Sequence, residues 1–83
     1  MVRSLREIAR EIRRDWTAQG KGVYFGAMPY LDAMQTLDSL DDTYGLDSAE
    51  SIVLYFLANA NTWRGETARR IKAELKAMLT THR

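Results

Sequence analysis

Three aspartates lie close together in the middle of the chain: Asp38, Asp41 and Asp42. Their type and spacing are the closest that this sequence comes to a catalytic or metal-binding site. Carboxylates act as general acids and bases, and they are ligands that divalent cations prefer. Their spacing does not match a calcium-binding EF-hand loop, which needs Gly at its sixth position and Glu at its twelfth. We expect the three side chains to be solvated or paired with arginines of the first or last helix. A carboxylate-only enzyme and a cation site are the alternatives.

The residues that other kinds of catalysis need are missing from the sequence or poorly placed in it. The one histidine, His82, lies in the C-terminal stretch Thr80–Arg83, which we expect to fray, and the chain has no cysteine. His-based acid–base catalysis is therefore absent, and nucleophilic triads and zinc sites lose their usual groups. Gly20-Lys21-Gly22 is too short for a phosphate loop and follows no predicted strand. The sequence predicts a protein that is not an enzyme, with no catalytic residue, no cofactor and no metal.

Charge is unevenly distributed along the chain, although the net charge is only +1. Residues 1–21 carry six basic and three acidic groups, and residues 22–63 carry six acidic and no basic groups. Residues 64–83 carry six basic and two acidic groups. An acidic middle between basic ends indicates charge complementarity within the fold or between protomers. The alternative is a basic surface that binds nucleic acid.

A DNA-binding helix-turn-helix is the most specific alternative function. It would consist of the third and fourth predicted helices, with the start of the last helix entering the major groove. The candidate contacts to DNA phosphates are Arg64, Arg69, Arg70, Lys72 and Lys76. Against this hypothesis, the third helix is unusually apolar and Gly65 follows the joint. Glu66 and Glu74 would also repel phosphate.

The first helix has clear local signals. Ser4 with Glu7 three residues later is a capping-box pattern. Apolar residues then recur at three- and four-residue steps and predict one buried stripe. The members of this stripe are Leu5, Ile8, Ala9, Ile12 and Trp16. The arginines lie off the stripe on a solvated face, where Glu7 is spaced to pair with Arg10, and Glu11 with Arg14.

A second helix is predicted from Pro29 to about Tyr44. The glycines of Thr17–Gly22 end the first helix, and the missing N–H of Pro29 is harmless in a first turn. The apolar stripe consists of Tyr30, Leu31, Met34, Leu37 and Leu40. Gly45 is expected to be the left-handed C-cap, with Leu46 making the apolar contact that often follows. The second and third helices would then form a helical hairpin.

The most apolar stretch of the chain is Ser51–Ala58. Its residue types would also suit a buried strand. However, Asp47 with Glu50 three residues later resembles a capping box, and the length of 48–60 suits a helix. We therefore assign this stretch to a third helix.

This third helix, placed at residues 48–61, is apolar nearly all round. Such a helix is buried, either at the centre of the domain or at an oligomer interface. If one face stays uncovered, we expect it to be that of Ile52 and Tyr55, with a dimer as its cover.

The fourth helix follows a joint at Asn59–Thr62, with Thr62 as its expected cap. Its stripe consists of Ala68, Ile71, Leu75, Met78 and Leu79. Three aromatic side chains near the ends of the helices, Tyr24, Phe25 and Trp63, are expected to cover the ends of the core. The alternative is a contact site for a protein partner, for which these three residues are the candidates.

Several segments resemble small proteins of unknown function from actinobacterial viruses, mycobacteriophages in particular. The segments that carry the resemblance are Ser4–Ala9 through Asp15-Trp16, Pro29–Met34, Asp41–Gly45 and Ser51–Leu79, which includes Thr62-Trp63-Arg64-Gly65-Glu66-Thr67. They cover most of the chain. The resemblance carries over no functional residue. It implies a phage or prophage product in the cytoplasm of a bacterial host, where it binds a host or phage macromolecule.

Taken together, the sequence predicts one all-α domain over residues 1–83, a compact four-helix fold with a central apolar third helix. No apolar run approaches the roughly 20 residues that span a bilayer, so a soluble, intracellular protein is expected. The predicted function is protein–protein interaction, as a homo-oligomer or with a host or phage protein. Membrane association and a small-molecule substrate are not expected, and DNA binding remains the alternative.

Overall fold

The first helix, α1, spans Leu5–Ala18 in the computed structural model, which describes residues 3–81. The Ser4 hydroxyl accepts a hydrogen bond from the Glu7 amide, and the Glu7 carboxylate accepts one from the Ser4 amide, both at 3.1 Å. The capping box is therefore confirmed. All five stripe residues are buried, as predicted. The helix ends at Gln19, and Gly20 takes a left-handed conformation with φ of +97°.

The second helix, α2, is Met28–Met34, so the prediction that it extends to about Tyr44 is wrong. Beyond the helix, main-chain carbonyls bond to α1 and not to later residues of the same helix. The amides of Leu5 and Arg6 donate to the carbonyls of Asp38 and Leu37, each at 2.9 Å. These bonds satisfy two of the free N–H groups at the start of α1.

A β-hairpin replaces the expected helical hairpin. Strand β1, Thr43–Tyr44, pairs antiparallel with β2, Asp47–Ser48. Gly45 has a φ of +63° while Leu46 does not have positive φ, which matches a hairpin turn with Gly at the first central position. Gly45 is thus left-handed as predicted, but in a strand turn. Leu46 is fully exposed, so the expected apolar contact is not made.

The third helix, α3, spans Ala49–Ala58 and begins at Ser48, whose hydroxyl accepts from the Ser51 amide at 3.1 Å. The cap therefore lies one residue after the predicted Asp47. α3 packs mainly against α2, while α1 packs against both α2 and α4. One side of α3 faces solvent, so it is neither buried all round nor the central helix. Of the face we expected to be open, Tyr55 is half exposed but Ile52 is buried.

The fourth helix, α4, spans Glu66–Thr81. It starts after Gly65, which has a φ of +111°, so Thr62 lies too early to cap it. Ala68, Ile71 and Leu75 are buried, and Met78 and Leu79 are partly buried against the core. Thr80 and Thr81 are helical, contrary to the predicted fraying, and residues 82 and 83, His82 included, lie outside the described part.

An aromatic cluster lies within the core. Trp16 stacks on Trp63 with ring centroids 5.7 Å apart, and Phe56 meets each indole edge-on at 6.3 Å.

The radius of gyration is 11.7 Å, which agrees with the value of about 2.2·N^0.38 Å expected for a compact chain of N residues. The fold is therefore mostly helical, as predicted, with a short strand pair added. No helix within residues 3–81 is long and apolar enough to cross a membrane.

Candidate functional site

The central aspartates have structural partners. Asp42 Oδ2 accepts hydrogen bonds from the amides of Asp38 and Ser39 at 2.8 and 3.1 Å, and these bonds hold the pKa of Asp42 below its usual range. Asp38 pairs with Arg6 of α1 at 2.9 Å, as expected for an arginine of the first helix. In residues 3–81, no group of three or more acidic, histidine or cysteine side chains is placed to hold a metal ion.

Salt bridges join α1 to its neighbours. Arg3 contacts Glu11 and Glu74, both at 2.7 Å, and Arg70 also binds Glu11. This network connects α1 to α4. The hydrogen bond from Arg3, and then that from Arg70, hold the pKa of Glu11 below its usual range.

On its other side, α1 is joined to α2. Arg13 contacts Asp32 at 2.5 Å and also donates to Gln35. Basic groups of the N-terminal segment thus meet acidic groups of the middle segment, so charge complementarity operates within the fold. The predicted pairs of Glu7 with Arg10 and of Glu11 with Arg14 are not formed: the Glu7 carboxylate bonds to Ser4 instead.

The arrangement of α3 and α4 differs from the helix-turn-helix hypothesis. The connection 59–65 is longer than the turn of about three or four residues in that motif. Arg70 is held by Glu11, and Lys72 Nζ donates to the carbonyls of Ala60 and Trp63 at 2.8 and 2.7 Å. Two of the five predicted phosphate contacts therefore have structural roles.

The other three candidate contacts to DNA phosphates are more accessible from solvent. Arg69 and Lys76 are exposed and form no ion pair within the described residues. Arg64 is also exposed and makes a long hydrogen bond, 3.5 Å, to the carbonyl of Asn61. Burial lowers the pKa of Lys72, and the nearby charges of Lys76 and Arg64 lower it further. Arg64 and Lys76 are therefore both near enough to Lys72 to repel its charge.

Trp63 is not available to a protein partner, which corrects its place among the candidate contacts. Its exposed fraction is 0%. One face of the indole lies against Trp16, and its Nε1 donates to Asp15 Oδ2 at 2.9 Å. Lys72 Nζ lies 5.8 Å from the centroid of the same ring. Trp63 is a buried core residue with a satisfied side-chain donor.

Tyr24 and Phe25, in contrast, do not cover the core. They are 43% and 80% exposed, and their ring centroids lie 4.9 Å apart. Gly26 permits this arrangement, because a Cβ there would lie 2.5 Å from Tyr24 Cε2. The two rings are therefore exposed, as a contact site for a protein partner requires, and that contact itself stays a prediction.

A cleft of about 460 Å³ adjoins this pair, and sequence reasoning missed it. Its walls come from the end of α1, the following loop and the α3–α4 connection. The lining residues are Trp16, Gln19, Lys21, Gly22, Tyr24 and Thr62. No local pattern signals the cleft, because residues 16–24 and Thr62 meet only in the folded chain.

The second unassigned feature is the α3 apolar face, which we define as Leu54, Tyr55 and Ala58. Leu54 and Tyr55 are 52% and 51% exposed, and Ala58 is exposed beside them on the helix. The Tyr55 ring lies 5.5 Å from that of Tyr30, centroid to centroid, which fixes its position on the surface. The exposed surfaces of α1 and α4 are charged, whereas α3 has one charged residue, Glu50 in its first turn.

Comparison with known proteins gives no matching family model, no matching curated protein and no matching solved structure. Functional interpretation therefore rests on the two surfaces of this chain: the Tyr24–Phe25 pair with its cleft, and the α3 apolar face.

Proposed function

We propose that this protein is not an enzyme and acts by binding another protein molecule through the α3 apolar face. One observation supports this most directly: the solvent side of α3 presents Leu54, Tyr55 and Ala58, while the other long helices present charges to water. An apolar surface of this kind on a small domain marks interaction sites in other proteins.

The size of the face limits the strength of the interaction. Burying the exposed half of a leucine or tyrosine side chain contributes about 1 kcal/mol. Two such side chains from each of two copies give about 4 kcal/mol, which only reaches the lower end of the roughly 4–15 kcal/mol lost on association. We therefore expect weak, reversible pairing of two copies, or tighter binding to a larger partner that also contacts residues around the face.

Sedimentation velocity over a series of protein concentrations tests the proposal, with a pair of leucine variants. Leu54→Glu places a charge in the α3 apolar face and should keep the protein monomeric at all concentrations. Leu46→Glu is the matched control, because Leu46 is the more exposed leucine and lies on the β1–β2 turn. It should associate as the wild type does.

If the wild type is monomeric throughout, the same variants distinguish a different protein partner. Affinity capture from infected or host cells, with and without nuclease, should recover a protein that Leu54→Glu loses and Leu46→Glu retains. A monomeric wild type whose captured proteins are identical for both variants would overturn the proposal.

The resemblance to mycobacteriophage proteins supports the proposed context. In that context the expected partner is a host or phage protein, and the expected location is the cytoplasm of the bacterial host.

DNA binding by a helix-turn-helix has less support as an alternative. Of its candidate contacts, Arg64, Arg69 and Lys76 are exposed, but Arg70 is paired with Glu11. A duplex-DNA gel shift tests it, with binding at about 50 mM salt that falls steeply as salt rises.

A further inference from the structure

The Tyr24–Phe25 pair has an unusual amount of exposed aromatic surface. Phe25 has 80% of its surface exposed, its ring lies 4.9 Å from that of Tyr24, and Tyr24 also lines the 460 Å³ cleft. Flat rings held in this way are surfaces on which planar groups stack. Covering such a ring stabilises a complex, because burying apolar surface contributes about 25 cal/mol per Å² to its free energy.

Cations lie beside the aromatic pair and its cleft. Lys21 lines the same cleft as Tyr24. Gln19, which also lines the cleft, donates to the carbonyl of Arg64 at 2.7 Å and so fixes the Arg64 backbone nearby. Lys72 Nζ donates to the carbonyl of Trp63, the residue before Arg64, at 2.7 Å, and Lys76 lies one turn further along the same side of α4. We call this surface the aromatic–basic strip and define it as Lys21, Tyr24, Phe25, Arg64 and Lys76.

Acidic groups do not neutralise the strip. The salt bridges within residues 3–81 engage Arg3, Arg6, Arg13 and Arg70, and none of them involves a cation of the strip. Asp15 lies beside the cleft, where it accepts from Gln19 Nε2 and Trp63 Nε1, and it forms no ion pair with a cation of the strip. The positive charge of the strip is therefore available to an anion.

We infer that the aromatic–basic strip binds single-stranded nucleic acid, with bases stacked on Tyr24 and Phe25 and phosphates at Lys21, Arg64 and Lys76. Exposed rings beside a basic surface form the usual combination for single strands, because each base offers a flat face. A duplex hides those faces inside its own stack, so it would use only the cations. This site does not depend on the α3 apolar face.

Fluorescence anisotropy with labelled oligothymidine and oligouridine, in about 50 mM salt, tests the inference. Single strands should bind more tightly than a duplex of the same length. Phe25→Ala should weaken binding by about tenfold, which is within the range for loss of one stacked base. The three cations of the strip would neutralise three phosphates. A plot of the logarithm of the affinity against the logarithm of the salt concentration should then have a slope of about −2.

Two matched variants separate the strip from general positive charge. Lys21→Gln combined with Lys76→Gln removes two cations of the strip and should reduce the salt slope to about −0.7. Arg10→Gln combined with Arg14→Gln removes two exposed cations from α1, which form no ion pair within the described residues, and should leave affinity nearly unchanged.

Three outcomes would overturn the inference: no binding of either oligonucleotide, equal losses from the two charge variants, or affinity unaffected by Phe25→Ala. Circular dichroism of each variant checks that the fold is retained. Leu54→Glu should bind oligonucleotide as the wild type does, so failure of the proposed protein contact and failure of this site are distinguishable.

Discussion

Trp16 and Trp63 lie face to face in the core, with planes 16° from parallel and ring centroids 5.7 Å apart. They come from the end of α1 and from the α3–α4 connection, so their contact holds the two halves of the chain together. The Asp15 carboxylate accepts the one polar hydrogen of the Trp63 side chain, which leaves that donor satisfied in the interior.

Replacing Trp63 should therefore destabilise the fold strongly. Trp63→Ala is expected to lower the free energy of unfolding by about 3–5 kcal/mol, as for other large-to-small changes in cores. A chain of this length has only about 4–12 kcal/mol in total. Urea denaturation followed by circular dichroism measures the loss. Phe25→Ala, which removes an exposed ring, should stay within about 0.5 kcal/mol of the wild type.

Lys72 stabilises the α3–α4 connection through two hydrogen bonds to main-chain carbonyls. Lys72→Met keeps most of the side-chain volume but leaves the carbonyls of Ala60 and Trp63 without this donor. We expect a loss of about 1–3 kcal/mol by the same denaturation measurement. Lys76→Met on the same helix is the control and should have little effect. Equal effects of the two changes would contradict this role for Lys72.

The Glu11 network predicts how stability depends on pH. Because the pKa of Glu11 in the folded protein is below its ordinary value of 4.5, the contribution of the carboxylate is fully present above about pH 4.5. It is lost as the pH falls through the lower, folded-state value. Glu11→Gln should be less stable than the wild type at pH 7, and the difference should shrink in acid.

A series of thermal melts at different pH values measures this convergence. Glu66→Gln is a suitable comparison, since Glu66 is exposed and forms no salt bridge within residues 3–81. A constant difference between Glu11→Gln and the wild type down to pH 3 would be inconsistent with the expected linkage.

Gly26→Ala should weaken oligonucleotide binding more than it lowers the stability of the fold. Its new Cβ would lie 2.5 Å from Tyr24 Cε2, so the tyrosine ring must move, whereas the core is not touched. We expect weaker oligonucleotide binding with a nearly unchanged midpoint of urea unfolding. Anisotropy and denaturation on the same preparation give both values. A loss of binding that only accompanies unfolding would contradict this expectation.

The sequence predicted α1 well because its signals are local. The Ser4 cap and the apolar steps from Leu5 to Trp16 lie within one continuous segment, and no distant residue changes them. The end of α2 depends instead on distant partners, since the carbonyls of Leu37 and Asp38 bond to the first amides of α1. The pattern that continues through Leu37 and Leu40 is therefore a core pattern without being helical.

The candidate surfaces were less predictable for a related reason. An apolar residue type indicates that a side chain prefers burial, but not whether a neighbour is there to bury it. Trp63 has such neighbours in Trp16 and Phe56, whereas Phe25 has only the Tyr24 ring beside it. The cleft beside Tyr24 exists only because Thr62 comes close to the end of α1 in three dimensions.

The β1–β2 turn has a practical consequence. Gly45 and Leu46 are exposed at its tip, and a cut between them would leave one piece with α1 and α2 and another with α3 and α4. The α2–α3 and α1–α4 packing both cross that cut. The two pieces should therefore reassemble when mixed, so the fold is suited to fragment complementation, with each half fused to one of two proteins whose association is to be detected.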